Sequence, residues 1–130
     1  FTVASFAGLA LVLAGCGVSG PTSNKTDTFP GTLSIGGYNS HGFTSGASGE
    51  FSVRLTSVTP DPTAILELGF GQLSGSTCVP FQGYVAPARA NNPPTPLSGP
   101  IQKGNNYCLA VYDAGFLTQA QTYTVSVSHP

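Results

Sequence analysis

Residues 50–57, "EFSVRLTS", alternate polar and apolar side chains along the whole stretch. The apolar positions are Phe51, Val53 and Leu55. Successive side chains of a β-strand point to opposite faces, so a period of two is typical of a strand that buries one face of an antiparallel sheet. A shift by one residue would bury Glu50 and Arg54 without partners, which is costly. The stretch therefore predicts a β-strand whose apolar side faces a core.

The same alternation recurs in three later stretches, "AILELGF" (64–70), "NYCLAVYD" (106–113) and "TYTVSVS" (122–128). Weaker strand signals lie near residues 28–34, 40–44, 78–85 and 97–102, with Gly-, Pro- and Asn-rich breakers between them. About eight short strands with close turns predict an all-β antiparallel β-sandwich or jelly roll. We expect one shared interior that contains Phe51, Val53, Leu55, Leu66, Leu68, Leu109, Val111, Val125 and Val127. Residues 86–96, with four prolines, are predicted to form a long exposed loop.

Length and composition limit the classes of function. The chain has 130 residues, which suits one domain, and only 7% of them are charged, against about 25% in an average protein. The net charge is −1, so nothing attracts phosphates and nucleic acid is not an expected partner. Gly and Pro are abundant, at 17 and 11 residues, but the 40% of apolar residues favours a loop-rich folded domain over disorder.

The N-terminal segment is uncharged and apolar through "FTVASFAGLALVLA" (1–14) and then reaches Leu13-Ala14-Gly15-Cys16. The run is short for a membrane span and fits the hydrophobic region of a secretory signal, with its basic start and initiator Met missing. Leu, two small residues and Cys resemble the lipobox of bacterial lipoproteins, which implies a signal segment over 1–15 and lipidation of Cys16. Residues 16–27 are then a flexible tether to a domain over 28–130. The alternative is a buried cysteine in an ordinary N-terminal helix.

Cys78 and Cys108 remain if Cys16 carries lipid. Export implies an oxidising compartment, and the remaining number is even, so we predict a Cys78–Cys108 disulfide. A metal site with two thiolates is the alternative, but the chain lacks a CxxC pair and nearby histidines.

A family resemblance follows from the two ends of the domain. The opening "TFPGTLSIGGYNSHGFTSGASGEFSVRLTS" (28–57), with the closing "GNNYCLAVYDAG" (104–115) and "QTYTVSVSHP" (121–130), resembles the bacterial pre-peptidase C-terminal domain. That resemblance implies a jelly-roll-like β-sandwich that accompanies secreted enzymes and surface proteins without being catalytic. The family's central strand often carries two aspartates, whereas "TAILELGFG" (63–71) has Glu67 as its only acid, so calcium is not expected.

Catalytic motifs are weak. Gly69-x-Gly71 lacks the following helix of a dinucleotide loop, and no G-x-S-x-G elbow exists. We interpret His41 as a solvated residue of an edge strand and His129 as a mobile penultimate residue. Structural, non-catalytic roles on strand faces or in turns account for the five acids, which are Asp27, Glu50, Asp61, Glu67 and Asp113. We therefore expect no enzyme, no cofactor and no bound metal.

Aromatic side chains in loops or on the outer face offer a candidate ligand surface, since tyrosine rings stack on sugars and anchor protein contacts. The residues are Tyr38, Phe81, Tyr84, Tyr112 and Phe116. The leading hypothesis is a lipid-anchored, extracytoplasmic, non-catalytic module of a bacterial envelope that binds protein or carbohydrate, on the outer membrane or cell surface rather than the inner membrane. The alternatives are a structural envelope protein without a small ligand and, less favoured, a small secreted hydrolase.

Overall fold

The computed structural model describes residues 23–92 and 96–130. The predicted signal segment, Cys16 and most of the predicted tether lie outside these residues. The strands are β1 (Lys25–Leu33), β2 (Tyr38–Thr44), β3 (Gly49–Thr59), β4 (Leu66–Ser74), β5 (Thr77–Ala88), β6 (Leu97–Ile101), β7 (Asn106–Tyr112) and β8 (Gln121–His129). Within the described ranges there is no helix long and apolar enough to cross a membrane.

The strands form two antiparallel sheets of four, which confirms the predicted β-sandwich. Sheet I has the order β1-β8-β3-β6, and sheet II has the order β2-β7-β4-β5. Each of the eight predicted strands has a counterpart, but some bounds differ. β1 already begins at Lys25, and β5 continues to Ala88. Residues 86–88 therefore belong to a strand and not to the predicted loop, because they pair with Leu66–Leu68 of β4.

The core lies between the sheets and contains every residue predicted for it. All nine predicted positions are buried, with at most 1% of each side chain's surface exposed. β3 and β8 supply the centre of sheet I, where Val53 pairs with Val127 and Leu55 with Val125. Alternation along these strands places their apolar side chains on the inner face, so the pattern read from the sequence is the pattern of burial.

The end of the β4–β5 hairpin folds across the outer face of sheet II. Its residues reach β2, which is separated from β4 by β7: the Cys78 amide donates to Ser40 Oγ (2.9 Å), and a Cβ at Gly42 would lie 2.7 Å from Leu73 Cδ1. The Cys78–Cys108 disulfide, predicted from the sequence, joins this hairpin end to β7. The outer face of sheet II is therefore partly covered by its own chain.

Candidate ligand-binding cleft

A wide irregularity in β5 creates the most distinctive surface feature. Val85 pairs with Gly69 and Pro80 with Gly71, so the four residues 81–84 stand opposite Phe70 alone. Gly83 takes a φ of +83°, which side-chain-bearing residues seldom adopt. The extra residues bulge out of the ladder. As a result the rings of Phe81 and Tyr84 lie edge-on to Phe70, with centroids 5.6 and 5.8 Å away.

The floor under these two rings is formed by stacked aromatic side chains. Phe70 is buried and stacks on Tyr107 of β7 (5.2 Å) and on Phe51 of β3 (3.8 Å). Above this floor Phe81 remains 37% exposed, whereas Tyr84 is half-buried. The Tyr84 ring also reaches sheet I, since a Cβ at Gly99 would lie 2.8 Å from the Tyr84 hydroxyl oxygen. The absence of a side chain at Gly99 thus makes room for the ring that closes this side of the sandwich.

Polar and aromatic side chains together line a cavity of about 210 Å³, which we call the aromatic cleft. Its lining residues are Phe70, Gln72, Phe81, Tyr84, Pro100, Gln102, Asn105 and Tyr107. Four are aromatic, three are side-chain amides, and none of these lining residues is charged. The amides of Gln72, Gln102 and Asn105 are exposed, so they are available to a ligand.

The Tyr107 hydroxyl organises one wall of the aromatic cleft. It accepts hydrogen bonds from the Gln102 backbone amide (2.9 Å) and from Asn105 Nδ2 (3.2 Å). A phenol oxygen that accepts twice still has one proton to donate. No acceptor for that proton is found in the described part of the chain. The loop after β6 is therefore held in place, and a donor is left for an acceptor that enters the cleft.

The five aromatic residues predicted as one ligand surface lie in three places. Phe81 and Tyr84 belong to the aromatic cleft. Tyr38 and Tyr112 stack on the outer face of sheet II, with ring centroids 5.3 Å apart. Phe116 is 55% exposed in the β7–β8 loop.

The Tyr38–Tyr112 pair is tied to the covering hairpin. The Tyr38 hydroxyl donates to the Cys78 carbonyl at 2.6 Å. Burial raises the pKa of Tyr38, and burial followed by the neighbouring Glu67 carboxylate raises the pKa of Tyr112. Both phenols are therefore neutral near pH 7, and the Tyr38 hydroxyl is already engaged within the fold.

His41 lies on an edge strand as predicted, but it is half-buried and not simply solvated. Its Nε2 lies 2.6 Å from the Tyr123 hydroxyl, which also accepts from Asn39 Nδ2 at 3.0 Å. The buried phenol proton needs an acceptor, so Tyr123 donates to neutral His41. Phe29 stacks on the imidazole at 5.2 Å, and burial lowers the pKa of His41. These contacts bind the two sheets together along one edge and give His41 a structural role.

The prediction that His129 is mobile was wrong. The side chain is fully buried, with Nε2 2.8 Å from Asp27 Oδ2 and Nδ1 3.0 Å from the Pro130 oxygen. Its ring packs at 4.8 Å from that of Phe43. The cause is the pairing of β1 with β8, in which Lys25 lies opposite His129 and Asp27 opposite Val127. Asp27, placed in the predicted tether, thus belongs to a strand.

Two other acids act in turns, as the sequence suggested. Asp61 Oδ1 accepts from the amide and the hydroxyl of Thr63, and these hydrogen bonds lower the pKa of Asp61. Asp113 accepts from the Gly36 amide and from amides of its own loop, which lowers its pKa likewise. In the described ranges no three His, Cys, Asp or Glu side chains come together as they would around a metal ion.

No protein-family model matches this chain, and no curated protein matches it at a significant level. The resemblance to the pre-peptidase C-terminal domain therefore stays a prediction.

Sequence reasoning missed most of the aromatic cleft. Phe70 and Tyr107 lie in the alternating stretches 64–70 and 106–113 but were not predicted as site residues, and neither were the amides of Gln72, Gln102 and Asn105. One signal was present: Pro80 and Gly83 interrupt the alternation of β5, and both residue types mark bulges within strands.

Proposed function

We propose that this chain is a non-catalytic, extracytoplasmic binding module of a bacterial cell envelope, attached to the membrane through lipid on Cys16. The aromatic cleft is its ligand site. The lipobox-like sequence before Cys16, the disulfide, and the resemblance to the pre-peptidase C-terminal domain support this placement. On this proposal the tether after Cys16 presents the sandwich at the outer membrane or the cell surface.

The observation that carries the proposal is the exposure of Phe81 above a floor of stacked, buried aromatic side chains. The bulge in β5 holds the large apolar side chain of Phe81 at the surface, beside three side-chain amides, and not in the core. Concave sites lined by aromatic side chains with a few polar groups are the usual form of small-ligand sites. The bulge also costs ladder hydrogen bonds, so a surface role for Phe81 and Tyr84 explains why the strand departs from regular geometry.

Assembly by strand addition is the competing function, and one observation favours it: Val79 and Val85 are exposed on β5, an edge strand. Three of the four edge strands in the described ranges oppose it. β5 contains Pro80 and Pro87, and proline also occurs in the edge strands β1 and β6, whereas the edge strand β2 has none. Proline removes a backbone donor, and bulges distort the edge, so both discourage pairing with another chain. We therefore favour binding in the cleft.

The test measures retention on envelopes and does not require the ligand's identity. The full chain carrying Cys16→Ser, which removes lipid attachment, is mixed with sedimented envelopes of the cell that naturally makes it. We expect the protein to co-sediment, and we expect Phe81→Ala on the same background to reduce the retained fraction at least fivefold.

Phe116→Ala is the matched control, because it removes an exposed phenyl ring that does not line the aromatic cleft. This variant should be retained like its parent. Equal retention of the Phe81→Ala and Phe116→Ala proteins, with unchanged thermal melting of both, would overturn the aromatic cleft as the binding site.

A further inference from the structure

We infer that the aromatic cleft binds a single sugar unit of a neutral saccharide. This inference rests on the proposed function and specifies the ligand class of the same site. It follows from three properties of the cleft: its lack of charge, the pairing of ring faces with side-chain amides, and its size.

The charge of the lining selects against ionic ligands. None of the eight lining residues is an aspartate, glutamate, lysine, arginine or histidine. A phosphate, carboxylate or ammonium ligand is usually recognised by charge-assisted hydrogen bonds, which this lining does not supply. Lys103 follows Gln102 in the sequence, but its side chain does not line the cleft. A neutral ligand has no charge that would be left without a partner when it leaves water and enters the cleft.

The lining chemistry matches a pyranose ring. A sugar ring has an apolar face of C–H groups and an equatorial rim of hydroxyls. Phe81 and Tyr84 offer ring surface to the C–H face of the sugar. Removing this apolar face from water as it packs over the aromatic floor is favourable. The amides of Gln72 and Gln102 each provide two donors and an acceptor, as neighbouring hydroxyls require, and Asn105 provides an acceptor and the donor that Tyr107 does not engage. The hydroxyl of Tyr107, which accepts two hydrogen bonds within the described chain, adds one more donor.

A proline-rich peptide would use the aromatic rings but only part of the hydrogen-bonding capacity of the amides. A proline residue has no backbone N–H and offers only a carbonyl acceptor. It can accept from the amide N–H groups, but it supplies no donor to the three amide oxygens. The combination of rings and amides therefore favours a saccharide over a peptide of this kind.

Size limits the occupant to one ring. The cavity of about 210 Å³ is smaller than the roughly 300–1,000 Å³ of sites that enclose a drug-sized molecule. It is open along the side of the sandwich between β5 and β6, with exposed amides at its rim. One unit can therefore enter while the rest of a chain stays outside.

The experiment titrates the full-length Cys16→Ser protein with neutral hexasaccharides by calorimetry. The probes are hexamers of α-1,4-glucose, β-1,4-glucose, β-1,4-xylose and β-1,4-N-acetylglucosamine, together with a neutral glycan array. A hexamer of galacturonic acid tests charge, and an acetylated, amidated proline-rich hexapeptide tests the peptide alternative. We expect at least one neutral glycan to bind, and the acidic hexamer not to bind.

Variants separate the contributions within the cleft. Phe81→Ala should raise the dissociation constant about tenfold. Gln72→Ala, which removes one exposed amide, should raise it about three- to tenfold. Phe116→Ala should leave it unchanged. Equal affinity of the Phe81→Ala protein and its parent for the bound glycan would overturn saccharide binding in the cleft.

Failure of this inference is distinguishable from failure of the proposed function. If the protein is retained on envelopes in a Phe81-dependent manner, but protease digestion of the envelopes abolishes retention and no neutral glycan binds, the site exists and its ligand is a protein. That result overturns the saccharide inference alone. If retention does not depend on Phe81 and neither glycan nor peptide binds, both proposals are overturned.

Discussion

The Cα atoms of Cys78 and Cys108 lie 5.6 Å apart and are joined by a disulfide that fastens the end of the β4–β5 hairpin onto β7. Both cysteines are buried where this hairpin lies on β7, together with Ala110. Cys78 precedes Phe81 by three residues, and the bulge begins directly after Pro80. The disulfide therefore anchors one end of the segment that shapes the aromatic cleft.

Removing the disulfide should lower both stability and ligand affinity. The double variant Cys78→Ala/Cys108→Ala should lose roughly 3–4 kcal/mol of unfolding free energy, as expected for a closed loop of about thirty residues. Denaturant unfolding measures this loss. Peptide mapping without reductant should recover both cysteines in one linked peptide, and free thiols at these positions in the folded protein would contradict the structure.

The core is most sensitive where alternation and burial coincide. Leu55→Ala should destabilise the protein by about 2–5 kcal/mol, because it leaves a cavity between the sheets. Ser52→Ala, on the other face of the same strand, should change the unfolding free energy by no more than about 0.5 kcal/mol. Chemical denaturation of both variants checks this. Equal sensitivity at the two positions would contradict the orientation of β3.

The extent of prediction from sequence differs between strands for a physical reason. β8 buries one face in an uninterrupted pattern, and β3 does so from Phe51 to Leu55, before a bulge shifts its next buried residue to Val58, so the period of two identified the inner residues of these stretches correctly. β5 instead contains Pro80, Gly83 and Pro87 and bulges, which removed the periodic signal and hid its continuation to Ala88. The aromatic cleft was hidden for another reason. Its amides come from β4 and from the segment between β6 and β7, and only the sandwich brings them together.

His129 shows a related failure, because its burial depends on a pairing between the two ends of the domain. Position near the end of the sequence suggested mobility, whereas β1 covers β8 and supplies Asp27 as a partner. Neither the sequence around His129 nor that around Asp27 reveals this contact. Long-range pairing of this kind is a property of topology and is not encoded in local pattern.

Asp27→Ala tests the contact between the two ends of the domain. The variant leaves a fully buried imidazole nitrogen without its partner, so it should lose about 1–3 kcal/mol of stability. Lys25→Ala is the matched control, because Lys25 only forms an exposed ion pair with the same carboxylate at 3.6 Å, and such pairs contribute at most about 1 kcal/mol. Thermal denaturation compares the two. A larger loss in the Lys25 variant would argue against the role of His129.

His41 should make stability depend on pH in the mildly acidic range. Burial holds its pKa below the usual 6.5, so the folded protein keeps the imidazole neutral while the unfolded chain takes up a proton. As pH falls below about 6.5 the unfolding free energy should therefore decrease, and the decrease should level off below the folded-state pKa. From about one pH unit above 6.5, where the imidazole is neutral in both the folded and the unfolded chain, the contribution of His41 should be constant.

The comparison variant is His41→Gln, which keeps a hydrogen-bonding side chain near Tyr123 but cannot titrate. The parent protein should lose stability through His41 on acidification from pH 7 to pH 5, and the His41→Gln variant should not. The difference between their unfolding free energies, measured by urea denaturation, should therefore narrow. All other side chains are the same in the two proteins, so the difference isolates the contribution of His41. A pH-independent difference would show that His41 is not the titrating group.

Lipidation of Cys16 is the prediction on which membrane attachment depends. The thiol of Cys16, at the end of Leu13-Ala14-Gly15-Cys16, would accept a diacylglyceryl group, which carries two acyl chains. Cleavage before Cys16 would expose its amino group, and acylation of that group would add a further chain. Two or more chains give stable anchoring, whereas one gives only marginal binding. A precursor that carries a complete signal sequence should incorporate labelled palmitate and sediment with membranes, and Cys16→Ser should lose both properties. Cys78→Ser, which removes a thiol of the disulfide, is the control that should still be labelled. Labelling that survives Cys16→Ser would exclude Cys16 as the lipid acceptor and, with it, this mode of attachment.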